Sequence, residues 1–222
     1  RRRHLCRTRP SLPRVSSPAA PPSLAAIAAR VEQRLREFLA PEHARWAAFD
    51  ADLAEPMAEI GALVLVGGKR LRPAFCHWGF AAAGGDPADE MVANAGAAFE
   101  LMHAFALFHD DVMDDAASRR GNPTTHTVFA QHHRDGAWAG EARRFGEGVA
   151  ILVDDLAFVY SDMLMAGAGR EAWAIWNELR IELNVGQVLD IIGSVRNERS
   201  RHKAEQICRY KSGKYTIERP LH

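Results

Sequence analysis

The chain has 222 residues, in which 28 Lys and Arg balance 28 Asp and Glu. That length suffices for one sizeable core, and zero net charge gives no reason to expect nucleic acid or an anionic membrane as partner. Cys6, Cys76 and Cys208 are widely spaced with no Cys-x-x-Cys pair, which argues against a zinc site or disulfide framework and for a reducing, cytoplasmic setting. No apolar run approaches the ~20 residues expected of a membrane span.

Residues 1–23 hold six arginines, five prolines and four serines with no acid, a composition that cannot fold alone and reads as a disordered tail. From Ser23 onward the pattern is helical. Ser23 can cap a helix in which Leu24, Ile27, Val31, Leu35 and Phe38 recur at spacings of three and four, ending before Pro41. A second helix is expected over 42–65 with a kink or break at Pro56, and a third over 69–83, between Gly67-Gly68 and Gly84-Gly85. Asp86-Pro87 looks like the cap and first position of a long helix running to about Asp115. A loop over 116–123 and a short helix over 123–133 follow. Beyond a Gly- and Arg-rich connection at 134–148 lie three more helices, at roughly 149–167, 170–193 and 200–218. Alternating strand patterns are absent, so the expected fold is all-α, a mainly antiparallel bundle with its ligand site in the core. His126, His132 and His133 lack partners at metal spacing and read as surface histidines.

The run His-Asp-Asp-Val-Met-Asp-Asp-Ala-Ala-Ser-Arg-Arg-Gly at 109–121 carries the most chemical information. Asp110, Asp111, Asp114 and Asp115 fall within about one helical turn. Two carboxylates ~5 Å apart repel by roughly 3 kcal/mol at an effective dielectric of ~20. The cluster also sits toward a helix C-terminus, where the dipole disfavours negative charge by roughly 0.3–1 kcal/mol each. Divalent cations relieve such a cluster, and Mg2+ suits a few carboxylates plus substrate phosphates. Arg119 and Arg120 would hold those phosphates.

Four further patches stand out: Gly67-Gly68-Lys69-Arg70-Leu71-Arg72-Pro73; His103, two helical turns before Asp110; Gly186-Gln187-Val188-Leu189-Asp190; and Lys211-Ser212-Gly213-Lys214. Taken singly, each has a bland reading: a common turn, a core histidine, a local hydrogen-bonded pair, cations at a helix end. Taken in order, from about residue 60 to 222, they resemble the trans-isoprenyl diphosphate synthases (polyprenyl synthetases), geranylgeranyl-diphosphate-synthase-like. Class I terpene cyclases share the Asp-rich motif but bind one diphosphate, and the Gly-Gly-Lys-Arg patch tips the choice.

The resemblance implies an all-α homodimer of the isoprenoid synthase type that condenses isopentenyl diphosphate onto an allylic diphosphate using Mg2+. It implies that Asp110 and Asp114, with Asp111 in support, hold Mg2+ ions bridging the allylic diphosphate. Arg119 and Lys211 would contact that diphosphate. Arg120, Lys69, Arg72 and His103 would form the isopentenyl diphosphate pocket, while Gln187 and Asp190 line the reacting centre or orient Lys211. Phe105 and Ala106, five and four residues before Asp110, would wall the chain-length pocket; with only one aromatic there, a twenty-carbon product is expected.

The sequence departs from the family in two places. The second Asp-rich motif expected beyond the Lys-Ser segment does not occur within these 222 residues. The chain therefore reads as a disordered tail at 1–23 and a partial synthase domain at 24–222, lacking C-terminal helices and exposing an apolar face. A non-catalytic isoprenyl-diphosphate-binding subunit that pairs with a full-length synthase is the alternative. Asp154 stands where the family usually has Gly in a Gly-Asp pair, and reads as mostly a surface change.

Overall fold

A computed structural model describes residues 22–222; nearly all of the tail expected at 1–23 lies outside the described residues. The architecture is the expected helical bundle, in the order α1 Pro22–Phe49, α2 Ala54–Leu65, α3 Leu71–Ala82, α4 Glu90–Met113, α5 Thr125–Asp135, α6 Ala142–Met165, α7 Arg170–Val195, α8 Arg201–Ile207 and α9 Arg219–Leu221. A π-helical stretch, Cys208–Glu218, links the last two.

Boundaries move where local chemistry overrides pattern. α1 runs through Pro41 rather than stopping before it. Its final turns are tied down by Glu42, which accepts from Trp46 Nε1 at 3.3 Å and Tyr160 Oη at 3.4 Å. Asp50 then caps a short 3-10 turn, Ala51–Leu53, so α2 begins at Ala54. Pro56 falls in its first turn, where no backbone donor is needed. α3 starts at Leu71, not Lys69, because Arg70 adopts the left-handed conformation with φ 47°. Asp86 caps only a turn, accepting from Ala88 N at 2.8 Å. The N-cap of α4 is Asp89, which accepts from Met91 N at 2.8 Å. α6 begins seven residues earlier than expected, since Glu141 accepts from the backbone N–H groups of Arg143 and Arg144 at 3.0 and 2.8 Å.

The expected loop at 116–123 contains a small antiparallel ribbon, β1 Ser118–Arg119 with β2 Asn122–Pro123. Its two-residue turn is Arg120-Gly121, with φ of 53° and 86°, the positive-φ pair that a tight hairpin demands. The turn sends Arg119 and Arg120 in different directions.

α4 is the central helix, packing along α6, α3 and α1. By length and composition it could cross a membrane, contrary to the expectation that no run comes close, but 67% of its apolar window is buried inside the bundle. Leu101, Met102 and Ala97 on α4, Leu35 on α1, Ile60 on α2, Val153 and Ala157 on α6, and Trp176 and Leu179 on α7 form the core. Phe99 and Trp176 meet edge to face at 5.3 Å. Two apolar stripes face outward: Leu152, Val159 and Met163 on α6, and Ile181, Val185, Val188, Ile192 and Val195 on α7. Two of the three histidines expected at the surface, His126 and His133, are buried; His133 Nε2 lies 3.1 Å from the Ala139 carbonyl.

Candidate functional site

The glycine turn behaves as its composition suggests. Gly67 has φ 96°, a conformation open to glycine at no steric penalty, and the chain then doubles back into α3. Arg70, buried, donates to Glu100, to the Val64 carbonyl and to Glu32. It anchors the turn through these bonds, and it and Glu100 also line the cavity beside the turn. The turn carries its neighbours Lys69 and Arg72 to a cavity of about 350 Å³ that they line together with His103, Arg120 and Thr216. Arg120 is held there by a 3.2 Å bond to the Gly67 carbonyl. All four residues assigned from sequence to one pocket thus share one cavity.

A second cavity of about 170 Å³ lies on the other side of Arg72 and His103. Asp110, Gln187 and Lys211 form its polar end. Phe105, Ala106 and Leu183 are on its apolar wall. Asp110 Oδ1 accepts from Gln187 Nε2 and from Lys211 Nζ, both at 3.2 Å. Lys211 also donates to Asp190 at 2.6 Å. Asp190 therefore orients Lys211, while Gln187 faces the cavity directly. Burial pulls the Lys211 ammonium down, but its bonds to Asp190 and Asp110 outweigh that and hold its pKa above the usual lysine value.

Lys211 reaches this place because of the π-helical stretch. Gly186 on α7 lets its backbone pass close by: a Cβ there would meet the Lys211 Cα at 2.8 Å. Buried Glu182, one turn earlier, receives Lys214 and, at 2.8 Å, both Nε and Nη2 of Arg219. Lys214 is thus a clamp for the last helix, not a second site cation.

His103 and Arg72 form the partition between the two cavities. Burial, reinforced by Arg72 and Arg120, pushes His103 down to about 3, so the ring is neutral at ordinary pH. Its Nδ1 and the Arg72 Nε are buried without a hydrogen-bond partner. Arg72 lies over the Tyr215 ring at 4.2 Å and donates to Thr216 at 3.1 Å. An unsatisfied buried Arg72 donor beside a neutral imidazole, between two cation-lined cavities, fits polar anionic ligands.

The remaining assigned residues are more spread out. Arg119 grips buried Asp111 in a fork, with contacts of 2.7 and 2.9 Å, and reaches Asp110 at 3.5 Å. Asp111 and Arg119 line a third cavity of about 270 Å³ behind the ribbon. Asp114 ends α4 and is exposed. Asp110 and Asp114 are four residues apart on α4 and share a face. Among the described residues no three His, Cys, Asp or Glu side chains converge as a ready-made metal cage. The donor set nevertheless fits Mg2+ in being all-carboxylate, with Asp114 exposed, while Asp110 and Asp111 are engaged by Lys211 and Arg119. Mg2+ takes one or two carboxylates plus substrate phosphates rather than a full protein cage.

Asp154 corrects the sequence expectation. It is not a surface residue but wholly buried, with Oδ2 2.8 Å from His109 Nδ1. Burial raises its carboxyl to about 6, against the opposing pull of His109. His109 and Ser212, within runs already noted but given no role there, and Asn184 and Tyr215, which no motif marks, all line the second cavity. His109 has a signal in its place beside Asp110; Asn184 lies on α7, and Ser212 and Tyr215 depend on the π-helical stretch, which no pattern announces.

The chain is 34% identical over 134 residues to the short chain isoprenyl diphosphate synthase of Methanothermobacter thermautotrophicus, covering 58% of this chain and 36% of that protein. It is 48% identical over 110 residues to the chloroplastic geranylgeranyl pyrophosphate synthase 12 of Arabidopsis thaliana, covering 48% and 26% respectively. A crystal structure of the Corynebacterium glutamicum geranylgeranyl pyrophosphate synthase, complexed with isoprenyl diphosphate and magnesium, superposes with a TM-score of 0.82 at 34% identity. That match covers 90% of this chain and 58% of the other. The chain thus spans roughly a quarter to just under three-fifths of these relatives' lengths. The polyprenyl synthetase family model matches residues 54–222, and the chain belongs to that family.

Proposed function

We propose that the chain binds isopentenyl diphosphate and an allylic diphosphate, and carries the catalytic residues of a Mg2+-dependent prenyltransferase that joins them head to tail, with geranylgeranyl diphosphate as product. The observation that carries this reading is the pair of cavities sharing Arg72 and His103, one lined by Lys69 and Arg120, the other by Asp110, Gln187 and Lys211. Two diphosphates need two cationic pockets, and their reacting carbons must meet where the pockets adjoin.

Lys69, Arg72 and Arg120 would take the isopentenyl diphosphate, with neutral His103 as hydrogen-bonding partner. Arg119 and Lys211 would hold the allylic diphosphate and neutralise it as its carbon–oxygen bond breaks. Mg2+ held by Asp110, Asp111 and Asp114 would add the rest of that charge stabilisation when bound. Asp190 keeps Lys211 aimed. The apolar wall of Phe105, Ala106 and Leu183 keeps water from the allylic cation, and its single aromatic beside Ala106 supports a twenty-carbon product. The apolar groove bounded by the start of α2, α5 and α6, of about 930 Å³ with Met57, Phe129, Phe145 and Leu152 on its walls, supports pairing with a second copy across a two-fold axis.

The test is incubation of the chain with Mg2+, isopentenyl diphosphate and each allylic primer, with products sized by mass spectrometry and Lys211→Ala as control. A twenty-carbon diphosphate lost in the control supports the proposal. Binding of both diphosphates without product favours the non-catalytic subunit. Absence of binding overturns the reading.

A further inference from the structure

α4 and α6 face each other through two pairs spaced by one helical turn, Phe105 and His109 on one helix, Asp154 and Phe158 on the other. His109 meets Phe105 edge to face at 4.7 Å, and Phe105 meets Phe158 at 4.7 Å with a tilt of 41°. Phe158 is in turn covered by the Arg180 guanidinium at 4.9 Å, itself held by Asp162 at 2.7 Å. At the head of this chain of contacts is Asp154, with no exposed surface and His109 as its ion-pair partner at 2.8 Å. Phe105 and His109 line the second cavity; Asp154 does not.

A buried carboxylate is expensive where an apolar or small residue would serve packing alone. Here it does something packing cannot. An aliphatic residue would leave the His109 ring free to turn about its side-chain bonds, whereas a carboxylate oxygen fixed 2.8 Å from Nδ1, although outside hydrogen-bond geometry, keeps that edge of the ring turned toward α6. With the ring set, Phe105 is confined between His109 and Phe158, and the cavity wall stays where it is. We infer that Asp154 is a positioning residue for chain length: acting through His109, it fixes Phe105 as the wall that limits how long an isoprenyl chain the second cavity accepts. The inference rests on the reading of that cavity as the allylic pocket and deepens it. It places a determinant of specificity on α6, outside the substrate's reach.

The experiment compares calorimetric affinities of the wild-type chain, Asp154→Ala, Asp154→Asn and His109→Ala for farnesyl and geranylgeranyl thiodiphosphates. These probes carry the same head group and differ by one isoprene unit. Asparagine keeps an acceptor for His109 at nearly the same volume; alanine removes it. The expected result is a shift of about fivefold toward the longer analogue in Asp154→Ala and His109→Ala, with Asp154→Asn close to wild type. A purely structural role would weaken both analogues alike, so a ratio unchanged in both alanine variants overturns the inference while leaving the pocket intact. A shift in Asp154→Asn as large as in Asp154→Ala overturns the part played by the His109 contact. Wild-type chain that binds neither analogue removes the allylic-pocket reading, and the inference with it.

Discussion

Gly186 lies directly against the backbone of Lys211, with no room between them for a methyl group. The close approach brings the lysine onto Asp110 and Asp190 at 3.2 and 2.6 Å. Gly186→Ala would push the π-helical stretch off α7, for a loss of about 1–3 kcal/mol in stability. Allylic diphosphate affinity should fall about tenfold as Lys211 leaves Asp110. Thermal melts and calorimetric titration on the same preparation check both.

Ala106 lies on the wall of the second cavity beside Phe105. Ala106→Phe is expected to fill the space beneath Asp110 and shorten the product from twenty carbons to fifteen. Mass spectrometry of the products reads this directly. An unaltered product length would show that the floor is set elsewhere.

Arg119 forks onto Asp111, which is buried. Arg119→Ala would leave that carboxylate without its partner, a loss of about 2 kcal/mol, in addition to weakened diphosphate binding. Arg119→Lys would restore the charge but not the fork, and should recover less than half of the stability in denaturant unfolding.

His103 is held near 3 by burial and by the surrounding arginines. Its ring should show the nitrogen shifts of a neutral imidazole by NMR from pH 8 down to pH 5. Because its pKa is lowered on folding, its contribution to stability is present above the unfolded value of ~6.5 and is lost progressively as pH falls toward the folded value. His103→Gln should therefore flatten the acid limb of the stability curve.

Glu182 takes Lys214 and Arg219, and the bond from Arg219 chiefly holds its carboxyl below the usual range. A depressed carboxylate stabilises the fold above its unfolded pKa and loses that contribution as pH falls through the folded value. Glu182→Gln should lower stability by about 3 kcal/mol at pH 7. The difference from wild type should shrink as the pH drops below ~4, as melts across that range would record.

The fold was legible because the apolar spacing of α1, α4, α6 and α7 is helical over many turns, a signal that survives errors at the ends. The ends were less so: Asp86-Pro87 has every feature of a helix start, yet the N-cap bond is made by Asp89. The cavity residues of the Gly-Gly-Lys turn, His103 and Lys211 were legible as charged or polar groups at odds with their surroundings. Asp154 is the opposite case. An aspartate on an amphipathic helix ordinarily faces water, and only its helical phase against His109 shows that it faces inward. Arg70 and Arg72 are alike in the sequence; in the fold Arg70 is paired with Glu100 and Glu32, whereas Arg72 reaches on to the second cavity.

Arg72 and His103 are on the walls of both cavities at once. An anion entering either one withdraws positive potential from its neighbour and engages donors that the other also uses. The two compartments cannot fill independently. Whatever factor the first occupant imposes on the affinity of the second, the second imposes on the first. The partition thus acts as a thermodynamic link, and the tightness with which either cavity holds an anion is a function of how far the other is filled.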